Sequence, residues 1–110
     1  MTLTTIEKAA KLLGHDLSKV TGTHPHLGLF IDEGPEFRQW FNPYTNKADL
    51  MDVECTLGID IEWFDTVVMA YKYGTGINVR GILADHPNKF TARAHAVMAV
   101  VEQIYDRREG

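Results

Sequence analysis

The apolar positions of this chain change their spacing from segment to segment, and each spacing predicts an element of secondary structure. Near the N-terminus the apolar residues recur every three or four positions: Ile6, Ala9, Ala10 and Leu13. That period predicts an amphipathic helix over 4–13, with Thr4 and Glu7 in capping-box spacing and Gly14 placed to end it. The stretch 21–26 is polar and contains glycine and proline, so we expect a loop there.

Two short apolar segments after this stretch predict a hairpin. Residues 27–31 and 36–41 have the length and composition of strands. Asp32-Glu33-Gly34-Pro35 lies between them and has turn composition, because glycine and proline supply backbone angles that end a strand. The two strands are therefore expected to pair in antiparallel fashion, with this acidic turn at their tip.

The polar turn Asn42-Pro43-Tyr44-Thr45-Asn46 precedes a second predicted helix. Asn46 suits the N-cap, and Asp49 places a negative charge in the first turn, where the helix dipole favours it. Gly58 is placed to end the helix. Its buried side is expected to hold five residues: Ala48, Met51 and Cys55, joined by Leu50 and Leu57.

Strands are predicted next. Residues 59–63 alternate strictly between apolar and acidic, so Ile59, Ile61 and Trp63 are expected to face a core. Residues 66–73 and 77–83 are rich in β-branched and aromatic side chains, and the tight turn between them predicts a second antiparallel hairpin. Gly81, inside the last strand, indicates a bulge or a close packing contact.

The last element is predicted to be a long amphipathic helix, capped by Asn88 or Thr91. One continuous apolar face steps by three and four residues: Ala94, Val97, Met98, Val101, Ile104 and Tyr105. Three amphipathic helices and antiparallel strands together predict a layered α+β fold.

The segment 37–105 resembles the phage ABA-sandwich domain, a family of small proteins from phages and prophages. The resemblance rests on three features: the Asn42-Pro43-Tyr44-Thr45-Asn46 turn before an alanine-containing helix, the 67–83 hairpin, and the alanine-rich helix after His86-Pro87. It implies a three-layer α-β-α sandwich with a central antiparallel sheet, and a phage-type origin. It brings no site residue and no activity. Residues 1–36 match less well and are interpreted as a longer N-terminal extension of a single domain, 1–110.

Composition narrows the functional classes. With 110 residues the chain is the size of one domain, and its net charge of −4 argues against a nucleic-acid-binding face. Cys55 is the single cysteine, so no intramolecular disulfide forms and a reducing compartment is expected. No signal peptide or membrane-spanning run is evident, and we expect a location in the cytoplasm of a bacterial host.

Histidines are the candidate metal ligands. His24 and His26 lie two residues apart, and a pocket joining them to His86 would favour a metal-binding or small-ligand accessory domain. Zinc requires three or four ligands, and the intervening proline favours a solvated loop. We therefore expect no metal and no other cofactor.

Carboxylates and the thiol are the candidate catalytic groups. Asp60, Glu62 and Asp65 are close in sequence, and a minor hydrolytic enzyme could use two of them as acid and base, or Cys55 as a nucleophile. Alternation places Asp60 and Glu62 on a water-facing side, and the helical pattern places Cys55 in the core. The sequence therefore predicts a protein that is not an enzyme.

Acidic and aromatic residues are the candidate partner-binding groups. Aromatic residues are dense in 37–73, and an alternating strand cannot bury both members of adjacent pairs unless helices cover both sheet faces. The hypothesis names five residues: Asp32, Glu33, Glu36, Trp40 and Trp63. We expect a non-catalytic, phage-type protein-binding module that modulates host machinery, most concretely an anti-CRISPR-like inhibitor of a bacterial defence complex. Its partner would be a host protein, without direct nucleic-acid binding, and homo-oligomerisation stays open.

Overall fold

The computed structural model describes residues 3–24, 28–34 and 37–109. Within these ranges there are three α-helices: α1 (Thr5–Leu12), α2 (Lys47–Leu57) and α3 (Lys89–Glu109). Six strands accompany them: β1 (Val20–His24), β2 (Gly28–Gly34), β3 (Phe37–Phe41), β4 (Ile59–Trp63), β5 (Val67–Lys72) and β6 (Ile77–Ile82). Single 3-10 turns cover Leu17–Lys19 and Leu83–Asp85.

The strands form two three-stranded antiparallel sheets, β1-β2-β3 and β4-β5-β6. The predicted α+β class is confirmed, and the packing of helices on strands is consistent with a sandwich. The division of the strands into two sheets is not indicated by the sequence, because either hairpin could have paired with the other.

α1 begins and ends where the sequence predicts. The Thr4 hydroxyl accepts a hydrogen bond from the Glu7 amide, and the Glu7 carboxylate accepts one from the Thr4 amide, which completes the capping box. Gly14 has φ +93°, a left-handed conformation that favours glycine. The buried residues of the helix are Ile6, Ala9 and Ala10.

The first sheet corrects two predictions. Residues 21–24 are not a loop but part of β1, because their backbone pairs with β2, and a register shift next to Gly22 absorbs the irregular sequence. Asp32, Glu33 and Gly34 are not turn residues, since they continue β2, where Asp32 pairs with Arg38. The predicted hairpin itself is confirmed. Pro35 and Glu36 lie outside the described residues.

α2 has the predicted caps but buries a different face. The Asn46 side chain accepts a hydrogen bond from the Asp49 amide, and Gly58 ends the helix with φ +68°. The residues buried on α2 are Asp49, Leu50, Val53, Glu54 and Leu57. Ala48, Met51 and Cys55 are exposed, so the predicted burial of these three is wrong, while that of Leu50 and Leu57 is confirmed.

The Asn42 turn positions the start of α2. The Asn42 amide donates to Asp49 Oδ2 at 2.9 Å, and Asn42 Oδ1 accepts from the Tyr44 amide at 3.0 Å. Burial raises the pKa of Asp49 above its ordinary value, and the hydrogen bond from Asn42 opposes this rise only in part. The turn is therefore a hydrogen-bonded joint between β3 and α2.

The second sheet packs one face on α3. Alternate residues of each strand point to the helix, and those of the central strand, Val68 and Ala70, are fully buried. A Cβ at Gly81 would lie 3.1 Å from the Ala92 carbonyl oxygen, so this glycine permits close packing. The opposite face of the sheet carries exposed residues: Asp60, Glu62, Asn78, Arg80 and Ile82.

α3 is the central helix, because it contacts the second sheet and α1. Its buried residues surround more of the helix than the predicted stripe: Ala92, Ala94, Ala96, Val97, Met98, Val100, Val101 and Ile104. The contact with α1 includes an ion pair, in which Lys8 Nζ lies 2.6 Å from Glu102 Oε2. Burial alone would raise the pKa of Glu102, but the hydrogen bonds from Lys8 and Thr5 and the charge of Lys8 lower it. No helix in the described ranges is long and apolar enough to cross a membrane.

Replacing Val97 by aspartate should destabilise the protein strongly. Val97 has 0 % exposure, so V97D places an unpaired charge in the core and should lower the unfolding free energy by about 3 kcal/mol or more. The control is Q103D on the exposed side of the same helix, expected to stay within about 0.5 kcal/mol of the parent. Urea titration measures both, and equal stabilities for the two variants would contradict the burial of this face.

Candidate functional site

A cleft of about 610 Å³ opens between α2 and the first turns of α3. Trp63, the last residue of β4, lies at one side of it. The lining is mainly apolar, and the described residues that form it are Lys47, Leu50, Met51, Glu54, Cys55, Trp63, Lys89, Phe90 and Arg93. Its volume falls within the range of roughly 300–1,000 Å³ that is usual for binding sites.

The cleft exists because α2 and α3 do not pack closely against each other along their backbones. α2 contacts β4, while α3 packs on β5, β6 and α1. Leu50 is buried on the α2 wall and Phe90 is half-buried on the α3 wall. The apolar side chains at its base are thus anchored in the core, whereas the space above them stays open.

The ion pair between Glu54 and Arg93 connects the two walls. Arg93 Nε lies 2.7 Å from Glu54 Oε2, and Nη2 lies 2.6 Å from Oε1, which is the bidentate geometry of a strong pair. Glu54 is only 7 % exposed, so the carboxylate needs this partner. The hydrogen bond with Glu54 raises the pKa of Arg93 above its ordinary value, which keeps the guanidinium charged.

Two lysines lie at the mouth of the cleft. Lys47 and Lys89 are exposed, and neither has an ion-pair partner among the side chains that the structure describes. Lys47 Nζ lies 5.9 Å from the centre of the Phe90 ring, a cation–π distance. The mouth is therefore positively charged, although the chain as a whole carries −4.

Large apolar side chains continue from the cleft onto the surface. Met51 is 58 % exposed and Trp63 is 44 % exposed, and Phe64, the residue after Trp63, is 51 % exposed. Trp63 shares its sheet face with Ile59 and Ile61, as alternation predicts, but it is not buried in the core. Apolar side chains grouped in this way are typical of a surface that contacts another molecule.

The residues predicted to bind a partner do not gather in one place. Trp63 lines the cleft, and Trp40 is half-buried in β3. Asp32 and Glu33 lie in β2, and Glu36 is outside the described residues.

None of the histidines that the structure describes lines the cleft. His24 lies in β1 and His26 is outside the described residues, while His86 lies beside His95 with ring centroids 5.0 Å apart. Partial burial, and then the neighbouring His86, lower the pKa of His95. No group of three or more metal-ligating side chains forms within the described part of the chain.

The candidate catalytic groups are also separated. Asp60 and Glu62 are exposed on the outer face of the second sheet, and Asp65 is exposed in the connection after β4. Cys55 is exposed on the cleft wall and not in the core. The predicted burial of Cys55 is wrong because α2 has two apolar stripes. The stripe that packs in the core is the one containing Leu50, Val53 and Leu57.

Sequence reasoning missed the two lysines, Phe90 and Arg93. A signal was present: Lys47 and Lys89 are the first residues of their helices, where the helix dipole disfavours a positive charge. Their meeting at one cleft depends on how α2 and α3 pack, which no local pattern gives.

Comparisons of the chain with protein-family models, curated proteins and solved structures find no match. The resemblance to the phage ABA-sandwich domain therefore stays a prediction, and the functional argument rests on the geometry of the cleft.

The single thiol should react quickly in the folded protein. Because Cys55 is exposed, its labelling by a soluble disulfide reagent should proceed within about an order of magnitude of the rate in denaturant. A C55S variant supplies the blank for this absorbance assay. Protection of more than about a hundredfold would place Cys55 in the core after all.

Removing the arginine of the ion pair should destabilise the protein. In R93M the nearly buried Glu54 carboxylate loses its partner, so the unfolding free energy should fall by about 2 kcal/mol. This loss is smaller than that for breaking a fully buried ion pair, because Arg93 is partly exposed. The control is R80M on the outer sheet face, and equal melting temperatures for R93M and R80M would contradict this role.

Proposed function

We propose that this protein is a non-catalytic protein-binding module and that the cleft between α2 and α3 is its docking surface. The observation that carries the proposal is that the apolar lining includes two large side chains that are also exposed on the surface, Met51 and Trp63. Aromatic and methionine side chains are enriched at the centres of protein interfaces, where their burial contributes most of the binding energy.

A protein fits this surface better than a small molecule does. A small ligand confined to the base of the cleft would contact Leu50 and Phe90 but would leave part of the exposed area of Met51 and Trp63 in water. A partner that extends beyond the mouth would cover them as well. Burial of the exposed apolar area favours the larger partner by roughly 25 cal/mol for each Å² removed from water.

The polar groups of the cleft support binding more than catalysis. Glu54 and Arg93 are paired with each other, and the remaining charges of the lining are the two lysines. Cys55 lies in the lining, but the carboxylate there, Glu54, is paired with Arg93, and no described histidine lines the cleft to act as a base for the thiol.

The most concrete form of the proposal places the partner in bacterial host machinery, with a defence complex as its anti-CRISPR-like target. The resemblance to the phage family and the small size of the chain support this form. The protein would then act in the host cytoplasm by covering a surface of its target.

A small-ligand accessory domain is the second candidate function. The volume of the cleft, about 610 Å³, favours it, because a drug-sized molecule would fit.

Truncating Trp63 should weaken partner binding and leave folding intact. W63A removes an anchor of the mouth, and a partner retained by the parent protein from bacterial lysate should dissociate at least about tenfold faster from this variant. The control is Y73A, because Tyr73 is 87 % exposed and lies at the opposite end of the second sheet. Mass spectrometry identifies the partner, biolayer interferometry measures the dissociation rate, and circular dichroism confirms folding of both variants.

A third variant tests whether the partner docks instead on the acidic residues proposed from the sequence: Asp32, Glu33 and Glu36. It carries D32N, E33Q and E36Q, which remove three charges proposed from the sequence. Loss of the partner from this variant, with retention by W63A, would move the docking surface from the cleft to the hairpin. A parent protein that retains nothing specific would contradict the binding function.

A further inference from the structure

We propose that the cleft binds an acidic amphipathic helical segment of the partner protein, with apolar side chains on the cleft base and carboxylates beside Lys47 and Lys89. This inference rests on the proposed function and adds the chemistry of the occupant. It is carried by the shape of the cleft and by the charge at its mouth, which are independent observations.

The shape of the cleft suits a helix. The lining residues on α2 recur every three or four positions and so form one stripe along the helix. In chain order they are Lys47, Leu50, Met51, Glu54 and Cys55. At about 1.5 Å per residue this stripe is about 12 Å long, or two turns. The α3 wall provides a second stripe through Phe90 and Arg93. A groove between two helices receives a third helix through anchors spaced three or four residues apart.

The charge at the mouth selects the occupant's polar face. Lys47 and Lys89 are exposed and lack ion-pair partners among the described side chains, whereas Arg93 is neutralised by Glu54. A helix with carboxylates on both sides of its apolar stripe would place the carboxylates of one side beside Lys47 and those of the other side beside Lys89. A basic helix would meet two uncompensated lysines, and like charges brought together disfavour binding.

The positions of the lysines strengthen this argument. Each is the first residue of its helix, α2 or α3, where the unpaired amides already carry partial positive charge. A lysine there is slightly unfavourable for the stability of the free protein. The first turn of α2 holds Asp49, which offsets this effect, whereas the first turn of α3 contains no acidic residue. A partner's carboxylate would interact favourably with both the ammonium group and the helix terminus.

The floor of the cleft defines the anchors. Leu50 is buried, Phe90 is half-buried, and Met51 and Trp63 stand at the sides. A leucine or phenylalanine of the occupant would therefore contact apolar groups on three sides. Anchors at positions i, i+4 and i+7 span about 10.5 Å, which is close to the length of the α2 stripe.

The test uses synthetic peptides as probes, with the full-length protein. The first is a fluorescein-labelled amphipathic helix with leucines at positions i, i+4 and i+7 and glutamates on both flanks. The second replaces each glutamate by lysine, and the third carries the same residues in scrambled order. Fluorescence anisotropy measures affinity, and protection of the Cys55 thiol from a disulfide reagent reports occupancy of the cleft, because Cys55 lies on its wall.

Two charge-reversal variants are compared. K47E/K89E reverses the mouth, and R80E/R108E makes the same change in net charge at exposed positions away from the cleft lining. The acidic peptide should protect Cys55 in the parent protein and bind it at least about tenfold more tightly than the basic peptide does. The K47E/K89E variant should bind the acidic peptide at least about tenfold less tightly than the parent protein does. The R80E/R108E variant should change the affinity for this peptide less than about threefold. Added salt should lower the affinity of the parent protein for the acidic peptide.

Three results would overturn the proposal. The first is equal affinity of the protein for the acidic and basic peptides, and the second is an equal loss of affinity for the acidic peptide in both double variants. The third comes from a control with the fatty acid dodecanoate: protection of Cys55 by dodecanoate but by no peptide. The last result would assign the cleft to a small anionic amphiphile. If the peptides fail while W63A still releases the lysate partner, the chemistry of the occupant is wrong and the docking function stands.

Discussion

The structure depends on the burial of α3 from two sides. The second sheet covers one side of this helix and α1 covers another, so alanine and valine occupy most of its central turns. Strand and helix approach closely at Gly81, because a side chain there would begin only 3.1 Å from the Ala92 carbonyl oxygen. With its central turns committed to the core, α3 meets α2 through long side chains. The pair of Glu54 and Arg93 bridges the two helices, and the cleft lies beside this contact.

Much of the fold follows from local sequence. The capping box of Thr4 and Glu7, the Asn46 cap and the left-handed glycines Gly14 and Gly58 place the helix ends, because each satisfies backbone groups that the helix leaves unpaired. The second hairpin follows from β-branched residues around a glycine turn. β1 does not follow in this way, since its polar residues are held by backbone pairing with β2, and pairing partners are not encoded in the composition of one strand.

The candidate site was harder to predict than the fold. α2 carries one apolar stripe through Leu50, Val53 and Leu57 and another through Met51 and Cys55, and periodicity alone does not decide which is buried. The choice is made by contacts from outside the helix: Arg93, on α3, pairs with Glu54, and the Asn42 amide, in the preceding turn, donates a hydrogen bond to Asp49. The stripe left outside then becomes a wall of the cleft. Trp63, predicted both to face the core and to be a partner-binding residue, lies on the core-facing side of its strand but lines this cleft.

The central claim is that a partner docks between α2 and α3, and amide chemical-shift mapping tests it most directly. The ¹⁵N-labelled protein would be titrated with the acidic amphipathic peptide, and backbone amide signals would be followed to saturation. Docking in the cleft predicts that the largest shifts fall in 47–55, at Trp63 and in 89–93, which contain the cleft lining. Shifts concentrated instead on the outer face of the second sheet or in the first hairpin, with the cleft amides unmoved, would contradict it.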